Sequence, residues 1–446
     1  MAFSDTRRTP LLLGTLFGLA GMGSSSAAIV LPSVAADLDV GVGVAAWTIS
    51  LYVLMLAVTT AVYGRVSDLV GIRLPLLVGI AMMAGGALVA ALAPTYGVLL
   101  TARLFQGAGA AAIPTLGVAI LSNRFDGEVR GLALGRLAGV AAAITCFGPL
   151  IGGLLADTLG WRVVMALPIL GIGVLPFLWR DLTVGGTGDR LDLLGALLVA
   201  LTAGGLVLLV QSPTTGVVVA VVGGLLLLVG VPAVAAWVRR RPDGFLPLSV
   251  LRNPTVVRGA IAAGAVPAGW FAQLVGVPVV LVHAGWETWQ VGALLLPSVV
   301  VALLMPRLVG PLHVRLGPPL SLVVAALIST VSLLLAALGT WLVSGPVLML
   351  AIMLTTIAFG LGQPTLGAMV GDAVDSDVRG VALGIATLLF LVGGSVGSAE
   401  VAGLGDVLGV PASLGLLALL PLAGIGVLAP VVRRSLAERD RASAAV

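Results

Sequence analysis

Stretches of about twenty consecutive apolar residues recur along the whole chain, and no other feature limits its fold so strongly. A helix rising 1.5 Å per residue needs about that many residues to cross roughly 30 Å of hydrocarbon. The runs lie near 11–32, 44–63, 74–93, 97–121, 132–156, 163–179, 192–211, 216–237, 259–281, 290–311, 319–342, 346–370, 381–405 and 411–432. They are separated by charged or turn-forming clusters such as Ala93-Pro94-Thr95 and Gln211-Ser212-Pro213. Strands of a membrane barrel would alternate apolar and polar residues over about ten positions, which these runs do not. Helices satisfy their own backbone hydrogen bonds and so can stand in lipid. Charged residues make up 9% of the chain, against about 25% in a soluble domain. The expectation is an all-α polytopic membrane protein with about fourteen transmembrane helices.

Charge placement orients the spans. The 23 basic residues are all arginine. Alternate loops hold Arg7, Arg8, Arg65, Arg73, Arg124, Arg130, Arg180, Arg190, Arg239, Arg240, Arg241, Arg252, Arg258, Arg315, Arg379, Arg433 and Arg434, while the other loops hold only Arg162. By the positive-inside rule both termini are cytoplasmic, in agreement with an even span count. The same rule explains the high pI without a nucleic-acid partner. The first run follows Arg7-Arg8 but is long for a signal peptide, and the chain after it is also membrane-like. A single cysteine, Cys146, excludes an internal disulfide, and two histidines make a Cys/His metal site unexpected. No cofactor is expected.

The chain repeats itself. Val129-Arg130-Gly131-Leu132-Ala133-Leu134-Gly135 returns as Val378-Arg379-Gly380-Val381-Ala382-Leu383-Gly384. Pro114-Thr115-Leu116-Gly117 returns as Pro364-Thr365-Leu366-Gly367, and Asp157-Thr158-Leu159-Gly160 as Asp406-Val407-Leu408-Gly409. The offsets are 249, 250 and 249. Two six-span halves in parallel orientation follow, with two inserted helices between them. The units expected are 1–190, 191–238 and 239–446. Such a pair of halves carries its substrate site at their interface, near the bilayer midplane.

Three segments carry chemistry. Gly64-Arg65-Val66-Ser67-Asp68-Leu69-Val70-Gly71-Ile72-Arg73 follows the second span. Its aspartate either caps a helix start in an ordinary turn or pairs with an arginine as a latch between states. The fourth span holds Arg103, Gln106 and Gly107. A charge inside a span costs about 2.5–3.5 kcal/mol on insertion scales and marks a functional site by default; the alternative is an Arg103 that snorkels to the nearby outer end. The fifth span holds Gly148, Pro149, Gly152 and Gly153, where proline breaks the hydrogen-bond ladder and glycine admits a neighbouring helix. Plain helix packing would also explain it.

Together these segments resemble the drug:proton antiporters of the major facilitator superfamily. Gly64, Asp68 and Gly71 match the family's loop signature, G-x-L-x-D-R-x-G-R, while Val66 and Leu69 depart from it. Arg103, Gln106 and Gly107 match its fourth-span arginine motif, and Gly148-Pro149 with Gly152-Gly153 its fifth-span exporter motif, with Ile144 in place of the leading glycine. The inserted pair points to the fourteen-span branch, similar to tetracycline and multidrug exporters. The resemblance implies the major facilitator fold and proton-driven efflux of hydrophobic, often cationic compounds. Gly64, Asp68, Gly71, Arg73 and Arg130 are then expected in a conformational latch. One departure stands out: the first-span carboxylate usual upstream of the Leu-Pro pair is absent, Gly23, Ser24, Ser25 and Ser26 standing there instead. Thr145 and Cys146 likewise stand where tetracycline exporters carry an acid.

The expected function is secondary export of small hydrophobic compounds by proton antiport, by a monomer in the cell membrane whose partners are the substrate, protons and lipid. The alternative is a lipid or secondary-metabolite transporter of the same fold without proton coupling. An enzyme is not expected, because the spans offer too few ionisable groups to form a reactive cluster. Nor is ATP drive, since no Walker-type loop occurs. Gln106, Gln273 and Gln363 are the expected polar points of an apolar cavity. Glu400 is the expected proton carrier alongside Arg103. It lies in the thirteenth span, about five residues or roughly 7 Å from the outer end, and corresponds to Ile151 by the repeat. The alternative for Glu400 is an ionised side chain in an outer vestibule. His313 stands in the second half where Asp68 stands in the first, either as a group titrating near neutrality or as a solvated loop residue.

Overall fold

The computed structural model describes residues 5–125, 127–179, 192–242, 244–374 and 376–444. Among the described residues fourteen helices are long and apolar enough to cross a membrane. They are α1 (Arg7–Ile29), α2 (Val42–Gly64), α3 (Arg73–Ala91), α4 (Tyr96–Ser122), α5 (Leu132–Leu159), α6 (Trp161–Leu178), α7 (Leu193–Pro213), α8 (Val217–Arg240), α9 (Pro254–His283), α10 (Thr288–Met305), α11 (Pro318–Trp341), α12 (Gly345–Ala373), α13 (Ala382–Leu408) and α14 (Val410–Ala437). Each overlaps one expected span. The unit boundary expected at 190/191 lies outside the described residues.

Two local expectations are corrected. The helix carrying α2 continues to Val70, so Gly64 and Asp68 are helical rather than part of a loop. The turn is confined to Gly71 and Ile72, where Gly71 has φ 81°, a conformation that suits glycine. The helix of α3 then starts at Arg73, and its N-cap residue Ile72 makes no side-chain cap hydrogen bond. The second correction concerns Gln211-Ser212-Pro213. That helix runs on to Thr215 and ends at Gly216, φ 96°. Pro213 lacks the N–H that would bond the Leu209 carbonyl, and the Ser212 hydroxyl donates to that carbonyl instead, at 2.7 Å.

α1 to α6 form one six-helix half and α9 to α14 the other. In each half the first and fifth helices pack closely, and the repeat reappears in that packing. A Cβ on Gly148 of α5 would stand 3.1 Å from Met22 Cγ of α1; one on Gly397 of α13 would stand 2.5 Å from Ala268 Cα of α9. The two glycines are 249 positions apart (397 − 148), the repeat offset. The inserted helix α7 lies across one seam between the halves. Its Ala196 and Val207 pack with Trp47, Leu54 and Val58 of α2 and with Leu388 and Ala399 of α13. Its Gln211 Nε2 donates to the Gly43 carbonyl at 3.0 Å. α8 is largely exposed, with Val218, Leu225 and Leu228 among its uncovered side chains, as suits a helix facing lipid.

Candidate functional site

An even number of crossings returns the chain to the end of the bundle at which it began. That end is called proximal here, and the opposite end distal. At the distal end the halves are in close contact. Gly153 of α5 faces the backbone of α10: a Cβ there would stand 2.6 Å from Thr288 O and 2.7 Å from Trp289 Cα. Gly292 of α10 faces α5 in return, where a Cβ would stand 2.7 Å from Leu150 Cα. The Trp289 N–H donates to Asp157 Oδ2 at 3.2 Å, and Ser50 of α2 shares a 3.0 Å hydrogen bond with Ser398 of α13. Following the same face of α5 toward the proximal end, Cys146 still packs with Val299 and Ala302 of α10. Two turns further on, contact has ceased: Gly139 and Gly135 have nothing within 4 Å of where a Cβ would be. Along this seam the protein is closed distally and open proximally.

The fifth-span motif is therefore divided between two surfaces. Gly148 and Gly152 face α1, and Gly153 faces the other half. Pro149 cannot donate to the Thr145 carbonyl one turn back; the Ser25 hydroxyl of α1 does so at 2.9 Å. That hydroxyl is one of the serines occupying the acid-free stretch of the first span.

Arg103 does not snorkel. It is fully buried in the first half, among α1, α2 and α4. Nε donates to the Thr48 carbonyl at 2.9 Å, and Nη1 donates to the Gly23 carbonyl at 2.9 Å and to Gln106 Oε1 at 2.7 Å. Carbonyls carry two lone pairs, so Gly23 and Thr48 can accept these bonds within helical backbone. The guanidinium also lies 4.4 Å from the ring centroid of Tyr52, a cation–π contact, and the Tyr52 hydroxyl is held by the Ala20 carbonyl at 2.8 Å. Arg103 Nη2 and Gln106 Nε2 are buried without a partner. Reading the sequence missed Tyr52, although one of only three tyrosines in the chain, inside an apolar span, was a signal for it.

The three glutamines do not converge. Gln106 is fully buried beside Arg103. Gln273 donates to Ser332 at 3.0 Å and to Thr355, and it lines a small cavity at the seam with Ile29, Trp270, Val291 and Leu295. Gln363 is exposed, one turn from Phe359. Phe359 stacks at a tilt between Trp270 and Phe390, with centroids 5.5 and 5.6 Å away. Glu400 is 8% exposed, and both carboxylate oxygens are buried without a hydrogen-bond partner; it does not stand in an open vestibule. Of the residues expected in a latch, Arg73 stacks on Trp179 at 3.6 Å from its centroid, Arg130 is exposed near the start of its helix, and the side chain of Asp68 lies outside the described residues. His313 is half-buried and bonds Thr365 of α12 through Nε2 at 2.6 Å. Burial holds its imidazole below the usual 6.5. Among the described residues no group of histidine, cysteine or carboxylate side chains could hold a metal ion.

Two six-helix halves meeting at a seam that is closed at one end and open at the other define a membrane transporter of the alternating-access type, not an enzyme. The chain matches the family model of the Major Facilitator Superfamily over residues 13–398, and it belongs to that superfamily. Multidrug resistance protein Stp of Mycobacterium tuberculosis (strain CDC 1551 / Oshkosh) is 29% identical over 385 residues, spanning 83% of this chain and 70% of that protein. Among solved structures, a POT family transporter in complex with a thioalcohol-conjugated peptide aligns at TM-score 0.71 and 14% identity, over 96% of this chain and 95% of that one. The human organic anion transporter MFSD10 aligns at TM-score 0.66 and 16% identity, over 96% and 100%. At those identities the likeness is one of fold.

Proposed function

We propose that the protein is a secondary exporter of small hydrophobic compounds, antibiotics among them, that works by proton antiport with both termini in the cytoplasm. The carrying observation is the α5–α10 seam. Glycines at Gly153 and Gly292 allow backbone-to-backbone closure at the distal end while the same seam stands open toward the proximal end. With cytoplasmic termini, that is the state in which an exporter loads. The name of the Stp relative, a multidrug resistance protein, supports drug-like cargo. In this reading the working units are 1–190, 191–238 and 239–446, and the Gly64 to Arg73 segment with Arg130 forms the latch released when the halves rock. Glu400 carries the proton: its carboxyl group lies inside α13 with both oxygens buried and unpaired. Arg103 provides the fixed charge of the first half.

The test is transport in proteoliposomes with and without an imposed pH gradient, using lipophilic cations, tetracyclines and lipids as cargo. Gradient-dependent extrusion of a drug-like compound is expected. Transport indifferent to the gradient would refute antiport and favour the second reading, an uncoupled lipid or metabolite transporter. That reading draws on one observation, the acid-free stretch from Gly23 to Ser26, whose Ser25 is engaged in bonding the Thr145 carbonyl.

A further inference from the structure

We propose that Arg103 and Gln106 form a subsite for a small anion, either the carboxylate of a cargo molecule or an inorganic ion such as chloride. The guanidinium cannot lose its charge and is fully buried. Its hydrogen-bonded partners are the carbonyl oxygens of Gly23, Thr48 and Gln106. These dipoles and the Tyr52 ring soften the burial without neutralising it. Buried charges are normally paired, because desolvation is costly and only a counter-charge repays it. Among the described residues no carboxylate is hydrogen-bonded to the guanidinium.

The unpaired atoms indicate what is missing. Arg103 Nη2 and Gln106 Nε2 are both donors, both buried and both without a partner. Covalent geometry places Nη2 beside Nη1 and Nε2 beside Oε1, so both lie close to the 2.7 Å bond between Nη1 and Oε1. Two unpaired donors beside a fixed positive charge select an acceptor that is negative. Residue 23 adjoins them: a Cβ there would stand 3.3 Å from Gln106 Nε2, and 2.8 Å from Pro168 Cγ of α6, so the site next to the amide leaves no room for a side chain on α1. The chain has glycine there, so the negative charge must come from a ligand. The inference departs from the cationic compounds that the resemblance implies, and it rests on the transport reading only where the anion belongs to cargo.

The experiment is thermal unfolding of the purified full-length protein in detergent, with ionic strength held by sodium isethionate. Sodium benzoate, sodium chloride and benzamide are titrated separately, benzamide being the uncharged counterpart of benzoate. A saturable rise in unfolding temperature is expected with benzoate or chloride and not with benzamide. Gln106→Glu puts a carboxylate beside Arg103 and removes the free amide donor; it should weaken the apparent anion affinity at least tenfold. Gln106→Met removes the amide donor at similar size without adding charge and should also weaken anion binding, which keeps the test decisive if Gln106→Glu folds poorly. Saturation by benzoate alone assigns the site to the acidic group of a cargo molecule, and saturation by chloride alone assigns it to a resident inorganic ion. No shift beyond that of benzamide, or anion affinity unchanged in the folded variants, would overturn the proposal. No transport is measured, so failure of the exporter reading and failure of this one are separable.

Discussion

Gly153→Ala should loosen the distal closure, and the size of the effect follows from what the added methyl meets. It would lie 2.6 Å from Thr288 O and 2.7 Å from Trp289 Cα. Both are backbone atoms of the opposite half, so no side chain can rotate away, and relief requires the halves to separate. Overpacking of this kind costs about 1–3 kcal/mol. The cost falls on the distally closed state alone, because the contact does not exist once the halves part. A bias of that size changes the ratio of the two states roughly 5- to 150-fold. The readout is a single cysteine at Ser398, fully buried in the distal seam against Ser50, in a Cys146→Ala background. Its labelling by an impermeant maleimide should accelerate by a factor in that range. Gly139→Ala is the internal control on the same face of α5, where a methyl meets nothing within 4 Å, and it should leave labelling unchanged. Equal labelling rates in Gly153→Ala and the parent would refute the claim that this glycine pair sets the closed state.

Three further outcomes are expected. Single cysteines at the exposed positions Gly41 and Ala284 should react with an impermeant thiol reagent on intact cells, whereas cysteines at Arg239 and Arg434 should react only after permeabilisation; the reverse pattern would invert the orientation. Glu400→Gln mimics the neutral carboxyl at nearly constant size, so it should abolish gradient-driven transport and retain downhill exchange; gradient-driven transport at the parental rate would remove Glu400 from the coupling. Burial holds the His313 pKa below 6.5; its contribution to stability is therefore complete above the unfolded value and lost as pH falls through the folded one. Acidification from pH 8 to 5 should lower the unfolding temperature of the parent more than that of His313→Asn, and identical pH profiles would contradict this.

The membrane spans were legible because hydropathy is a property of each segment alone. Lipid rewards an apolar run wherever it sits, and all fourteen expected runs coincide with helices. The internal repeat was legible for a related reason: Gly148 and Gly397 must each admit the first helix of their own half, so one packing demand left the same mark twice. The turns were read less well. Gln211-Ser212-Pro213 has the composition of a break, yet the Ser212 hydroxyl supplies the hydrogen bond that the proline withholds, and the helix ends at a glycine instead. Local composition does not show whether such a substitute donor is in reach.

The site was legible in its residues but not in its pairings. Gly152 and Gly153 are adjacent and chemically identical, but a rotation of about 100° per residue sends one toward Ser26 of α1 and the other toward Thr288 of α10. Nothing in the two letters distinguishes a glycine that holds a half together from one that lets the halves meet. The same limit applies to Arg103. Its cost in a span marked it as functional, and the absence of an acid from Gly23 to Ser26 was visible as a gap. That these are one fact, a buried cation whose counter-charge is missing at the adjacent position, depends on α1, α2 and α4 converging so that Gly23 and Thr48 both reach a single guanidinium. Distance in the chain hides that convergence. The consequence is mechanistic: if α1 moves during the transport cycle, the Gly23 carbonyl moves with it. Arg103 would then lose a partner, so the proposed anion subsite and the conformation of the first half would be coupled through one hydrogen bond.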